Sequence, residues 1–323
     1  MINRNLELIE SESATLISEE HIDEGDVFYS ASANALVKIN SLKNSFTDPF
    51  AMNMGIGASG RFHSIKKGEL FIDFYVPIVY KDLAFDESIL QSERTISPID
   101  LSAIVSLPVF HFTVNKRRPL SAKNEENKPY LLYTNIPSYH KINVRLGLIS
   151  DYKRTFSTAY SDQLEEQPNF NYFNDIQSPI AEINQRNTTL KIGGSYQIAI
   201  KSKILAITES KMKFNASRSQ IIDFYFDINI LLTNKGDGIQ YDYTFTNESG
   251  IPESTSESVI PSSFLNRQAI GFSLGYEITS SSIGEHKLTG HSAEIGIIPG
   301  MYSKTGLSPY FKFCIKFGRG KWK

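Results

Sequence analysis

Apolar and polar residues alternate with a period of two along most of this chain, the spacing of a strand whose two faces meet different surroundings. Between 68 and 81, Leu70, Ile72, Phe74, Val76, Ile78 and Tyr80 alternate with Phe71, Asp73, Tyr75, Pro77 and Val79. Upstream, Met52, Met54, Ile56 and Ala58 alternate with Asn53, Gly55, Gly57 and Ser59, so the two runs form a hairpin that turns between Ser64 and Gly68. Further strands are predicted at 27–39, 101–114, 142–149, 190–201, 221–232, 239–245, 269–278 and 310–318. Helix signals are few: the acidic start from Leu6 to Glu20, and 178–185, where Ser178 can cap and Pro179 suits a first turn. The fold is expected to be all-β with few short helices.

Internal similarity suggests how the strands are grouped. FIDFY at 71–75 returns as IIDFY at 221–225. In the same order, 27–39 pairs with 190–201, 97–114 with 260–278, and NIPSYHK at 135–141 with IIPGMYSK at 297–304, each of the last two leading into a strand. This order predicts two copies of one β unit, 25–154 and 187–323, joined by a Ser-, Asn-, Gln- and Pro-rich linker at 155–186 that carries one short helix, with an acidic arm at 1–24. Strands joined by connections of very uneven length suit a jelly roll, so the expectation is a double jelly roll of two tandem β-barrels.

Composition adds mostly exclusions. With 33 basic and 35 acidic residues in 323, the chain lacks the basic excess of a protein that coats nucleic acid. The one cysteine, Cys314, excludes an intramolecular disulfide and a multi-cysteine zinc site. The opening MINRNLELIESESATLISEE has no secretory pattern, and no run of about 18 apolar residues offers a membrane helix. Synthesis and retention in the cytoplasm are the expectation from that start.

Two tandem jelly rolls in a nearly neutral chain of this length resemble the double jelly-roll major capsid proteins of tailless, lipid-containing icosahedral bacteriophages. The resemblance is architectural, spans 25–323 and rests on no diagnostic motif. It implies a structural protein of the virion: a homotrimer forming a pseudo-hexagonal tile, a capsid lattice, penton and spike proteins as neighbours, and an internal lipid membrane beneath. Direct nucleic-acid binding is not expected, because the first 26 residues carry Glu7, Glu10, Glu12, Glu19, Glu20, Asp23, Glu24 and Asp26 against Arg4. The acidic arm, through Leu6, Leu8, Ile9, Leu16 and Ile17, is expected to bridge neighbouring capsomers. Lys316, Arg319, Lys321, Trp322 and Lys323 are expected to form a basic tail facing lipid headgroups.

Candidate chemistry is thin. GIGASG at 55–60 matches the dinucleotide fingerprint but runs on as strand, without the helix whose N-terminus would hold phosphate. GFSLG at 271–275 matches a nucleophile elbow, yet Ser273 falls mid-strand. The six histidines include no zinc motif, and Asp73, Asp223 and Asp227 are expected to meet solvent, a subunit or a stray cation. No enzymatic activity, cofactor or metal is expected. An outer-membrane β-barrel, a porin or transport-related protein of a Gram-negative bacterium, is the main competing fold, since LKIGGSYQIAIK and AIGFSLGYEI would serve as membrane strands. The spans 115–138 and 246–265, placed where membrane barrels have short turns, count against it. A pair of carbohydrate-binding β-sandwiches would require exposed aromatics around a cleft, and one tryptophan supports it little.

Overall fold

The computed structural model describes residues 7–10, 14–41, 50–82, 93–157, 181–209, 211, 213–236, 239–246, 252–259, 269–281, 286–297, 299 and 309–323. It contains β1 (Glu7–Glu10), β2 (Ala14–His21), β3 (Val27–Ser41), β4 (Phe50–Ser64), β5 (Gly68–Asp82), β6 (Glu93–Asn124), β7 (Pro129–Ser157), β8 (Ala181–Thr208), β9 (Lys213–Gly236), β10 (Ile239–Thr246), β11 (Pro252–Val259), β12 (Ile270–Ser281), β13 (Lys287–Ile297) and β14 (Pro309–Trp322). Among the described residues there is no helix. The described parts of the two expected helices are extended: Glu7–Glu10 and Ala14–His21 form β1 and β2, and β8 starts at Ala181.

The sheet closes on itself. Ten strands follow in ring order β3-β4-β5-β6-β7-β8-β9-β12-β13-β14, each antiparallel to the next, and β14 returns to β3 from Tyr310↔Asn40 to Trp322↔Phe28. The expected halves are joined twice, by that seam and by β7 with β8 from Tyr139↔Ala199 to Ser157↔Ala181. The double jelly roll is therefore replaced by one up-and-down barrel. The described ends of the linker, at 155–157 and 181–186, lie inside this ladder. The recurring segments are strands of a single ring that meet the same two environments: FIDFY lies in β5 and IIDFY in β9, and Asp73 and Asp223 both point into the lumen.

The two faces of the ring are the reverse of a soluble protein's. On β7, Arg145 is 6% exposed and points inward, while Leu146 beside it is 54% exposed. The same step separates Asp227 from Phe226 on β9 and Ser273 from Leu274 on β12. Ile56 and Met54 on β4, Ile72 and Phe74 on β5, Leu101 and Val105 on β6, Ile192 on β8, Ile295 on β13 and Phe311 and Ile315 on β14 continue the outer apolar face. A soluble monomer rarely leaves so wide a contiguous apolar surface in water, whereas a hydrocarbon-facing band around a polar interior defines a transmembrane β-barrel. The capsid reading fails here: a tile of soluble jelly rolls buries its apolar faces between sheets, and this chain turns them outward. The homotrimer, capsid lattice, penton and spike partners and virion location fall with it.

Strand direction puts the turns 65–67 and 125–128, the start of β3 and the end of β14 at one end of the barrel, where the Val27 N–H donates to the Lys323 carbonyl at 2.8 Å and the reverse bond is equally short. The last residues of β3, β5, β7, β9 and β13 lie at the other end. The span 115–138 is two strands joined by the turn at 125–128, which removes the objection to a barrel that it had raised. Gly68 closes the tight turn between β4 and β5 at φ 110°, a conformation open to glycine, and a side chain there would meet the Ser106 carbonyl.

At the terminal end, β6 to β9 run on beyond the ring. Pairing of β5 with β6 stops at Glu69↔Ser106, and β6 bulges between Pro108 and Phe110. Further out, β6 and β9 pair directly from Ser121↔Ser217 to Asn124↔Phe214, although two strands separate them in the ring. The ribbon thus curls the opposite way, and the face that points outward on the ring becomes an interior: Leu120, Leu132, Ile136, Ile204, Phe214 and Ala216 are buried together. β2 pairs with β8 along this extension, and β1 lies parallel on β7.

Candidate functional site

The lumen is the site, and its residues come from the inward positions of every ring strand. Arg145 on β7 reaches β9: its Nε donates to Asp227 Oδ1 at 3.1 Å and its Nη1 to Asp223 Oδ2 at 3.2 Å. Its guanidinium also lies 4.1 Å from the centre of the Tyr225 ring. Arg61 on β4 pairs with Glu69 and, at 3.1 Å, with Glu277 on β12, whose other oxygen accepts from Lys316 Nζ at 2.7 Å. Lys191 on β8 meets Glu294 on β13 at 3.2 Å, and Glu294 also accepts from the hydroxyls of Tyr225 and Tyr310 at 2.9 and 2.6 Å. Nearer the other end, Lys312 meets Asp73 at 3.3 Å and Lys38 meets Asp100 at 2.9 Å. These pairs tie strands across the ring to one another, so the network exists only once the ring is closed.

A cavity of about 120 Å³ lies among these groups. Toward the terminal end the lumen is sealed by an apolar plug of Ile22, Phe28, Ile65, Tyr139, Ala199, Ile221 and Leu288, with Trp322 against it. The Trp322 ring lies 5.1 Å from that of Phe28, and its indole N–H donates to Ser219 Oγ at 2.7 Å. A ten-stranded ring leaves only a narrow interior, and here side chains fill most of it. Glycines make room for its larger rings: a Cβ on Gly275 would sit 2.5 Å from the Tyr225 ring.

The residues singled out from the sequence are distributed as follows. The expected basic tail is strand β14. Lys316 is buried in the lumen on Glu277 and Trp322 belongs to the plug, so neither faces lipid. Arg319, Lys321 and Lys323 are exposed on the outer face, directly after the apolar run Phe311, Ile315 and Phe317. Of the expected arm, Leu6 lies outside the described residues; Leu8 and Ile9 pair with Leu131 and Leu132 of the same chain, Leu16 packs on the extension core, and Ile17 is exposed. The described parts of the arm pair with strands of their own chain. Asp73, Asp223 and Asp227 face the lumen and are ion-paired, not solvated at a surface. GIGASG is mid-strand in β4, as expected, and Ser273 is buried within β12, where no elbow forms. Among the described residues no His, Cys, Asp and Glu cluster is placed to hold a metal. Nothing in the sequence marks these ion pairs, because the partners lie on different strands.

No family model matches the chain, and no curated protein matches it. Among solved structures, the deltaS2S3 mutant of the TodX monoaromatic hydrocarbon channel aligns over 93% of this chain and 91% of its own at 9% identity and a TM-score of 0.25. The Pseudomonas putida toluene transporter TodX aligns over 92% and 90% at 8% identity and 0.23, and Pseudomonas putida OprB over 91% and 94% at 6% and 0.18. Likeness at that level carries no fold or function across, so the functional reading rests on the geometry above.

Proposed function

We propose that this chain is an integral β-barrel protein of the outer membrane of a Gram-negative bacterium, transport-related, with a lumen held shut by ion pairs and an apolar plug. The observation that carries this reading is the inversion of the ring, with a belt of Leu, Ile and Phe outside and paired Arg, Lys, Asp and Glu inside. The inner strands suit the role in length: β12, β13 and β14 have 12, 11 and 14 residues, enough to cross a hydrocarbon layer at a tilt. Short turns of such barrels face the periplasm, so the end that holds the turns 65–67 and 125–128 and the Val27–Lys323 pair is the periplasmic one in this reading.

A lumen of this kind passes small ions or polar solutes only when the network rearranges. Glu277 is the keystone on one side, since it holds both Arg61 and Lys316. Reconstituted in planar bilayers, the protein should show rare, small openings, and Glu277→Gln should open more often. A wide pore that stays open in the parent protein would contradict the closed lumen. Silence in both proteins would limit the barrel to anchoring its periplasmic extension.

A further inference from the structure

Where the outer belt ends and the extension begins, one face of the ribbon changes character twice. Along β9 the outward positions Phe226, Phe224 and Ile222 give way to Gln220 and Arg218, then to the buried Ala216 and Phe214. Along β6 the belt ends at Phe110 and Phe112, and Arg118 precedes the buried Leu120. A polar band thus lies between the exposed apolar belt and the self-buried surface of the extension.

Two guanidinium groups dominate this band, and among the described residues neither is paired with a carboxylate. Arg118 Nη2 donates to Ser138 Oγ at 3.1 Å, and its Nε is buried with no hydrogen-bond partner. Arg218 donates to Gln220 Oε1 at 2.9 Å and to the Pro119 carbonyl at 3.5 Å. Beside them an aromatic row leads back to the belt: Phe112 stacks on His140 at 5.1 Å, and His140 lies 5.7 Å from Tyr196. Guanidinium forks bind phosphate bidentately, and amphipathic rings favour the membrane interface.

We propose that Arg118 and Arg218 form a binding site for the phosphate of an anionic phospholipid in the periplasmic leaflet, its acyl chains lying along the Phe110 and Phe112 seam. The inference rests on the membrane-barrel reading. A lipid is favoured over a free anion because the site opens onto the apolar belt, so a bound headgroup leaves its chains in hydrocarbon.

The test uses the full chain in nanodiscs of phosphatidylcholine with or without phosphatidylglycerol, with retained lipid counted by native mass spectrometry. The parent protein should retain phosphatidylglycerol preferentially. Arg118→Gln and Arg218→Gln should each weaken retention about fivefold, the equivalent of roughly 1 kcal/mol per basic residue at an anionic surface. The exposed Lys123→Gln should leave retention unchanged. Equal retention of both lipids by a chain that still requires detergent would overturn this site and leave the barrel standing. Equal loss on Lys123→Gln would reduce the site to general surface charge and overturn it, as would displacement of the lipid by equimolar inorganic phosphate. A chain that stays soluble without detergent would remove the barrel reading itself.

Discussion

Replacing Arg145 by methionine removes the guanidinium and keeps much of the side-chain volume. The loss would leave Asp223 and Asp227 inside the lumen with partners only at longer range, Arg61 and Lys191, both at 3.8 Å. At the 3.1 Å separation of Arg145 from Asp227, and an effective dielectric of about 20, Coulomb attraction is roughly 5 kcal/mol, most of which repays the desolvation of the charges. The relevant cost is that of stranding buried carboxylates, about 3–5 kcal/mol when one partner of a buried pair is deleted. Converting the carboxylates as well, in Arg145→Met/Asp223→Asn/Asp227→Asn, should recover most of that loss, because the stranded charges are gone. Urea unfolding from lipid vesicles, followed by the fluorescence of the single tryptophan, Trp322, gives both values. A loss below about 1 kcal/mol for Arg145→Met would refute the reasoning, since that is the scale of solvated surface pairs.

Two further predictions follow from the same geometry. Leu146→Arg, one position from Arg145 and on the outer face, should cost about 2–4 kcal/mol by the same unfolding assay if it sits near mid-membrane, where a water-exposed site would change by no more than about 0.5 kcal/mol. In the extension, a hydrogen bond from Lys201 holds the Glu20 carboxyl below the usual carboxylate range, and Glu20 and Asp26 raise the Lys201 pKa despite its burial. A depressed carboxyl stabilises the folded form above its unfolded pKa and loses that stabilisation as pH falls through the folded value. Hydrogen exchange over 14–21, corrected for its intrinsic pH dependence, should therefore rise below about pH 4 as β2 loosens from β8, and no change between neutral pH and about pH 3 would count against the Glu20 contact.

The strands were legible in the sequence because alternation is a local property: the hairpin through 64–68 and the strands around 190–201, 221–232 and 310–318 are where periodicity puts them. Which face is inside is not local. Leu, Ile and Phe at every second position describe a soluble core and a lipid belt equally well, and only the closed ring, with these residues exposed and the charges buried, separates the two. The ordered similarity between the halves misled for a related reason, since strands of one ring repeat the same pattern without forming two units. Nothing local marks Arg61, Arg145, Asp223, Glu277 and Lys316 as partners, because the groups they pair with lie on other strands, from 8 to 216 residues away. The basic residues of the C-terminus are no single cluster, since the strand period sends Lys316 and Trp322 inward and Arg319, Lys321 and Lys323 outward.

The central claim is that the apolar face of the ring lies in hydrocarbon. Tryptophan reporters at Phe226, Phe272 and Phe311, each introduced as Phe→Trp in a Trp322→Phe background, can be compared with the native Trp322 in vesicles whose acyl chains carry bromine. The three outer reporters should be strongly quenched, while Trp322, packed in the plug inside the ring, should not. Outer reporters quenched no more than Trp322 would contradict the account.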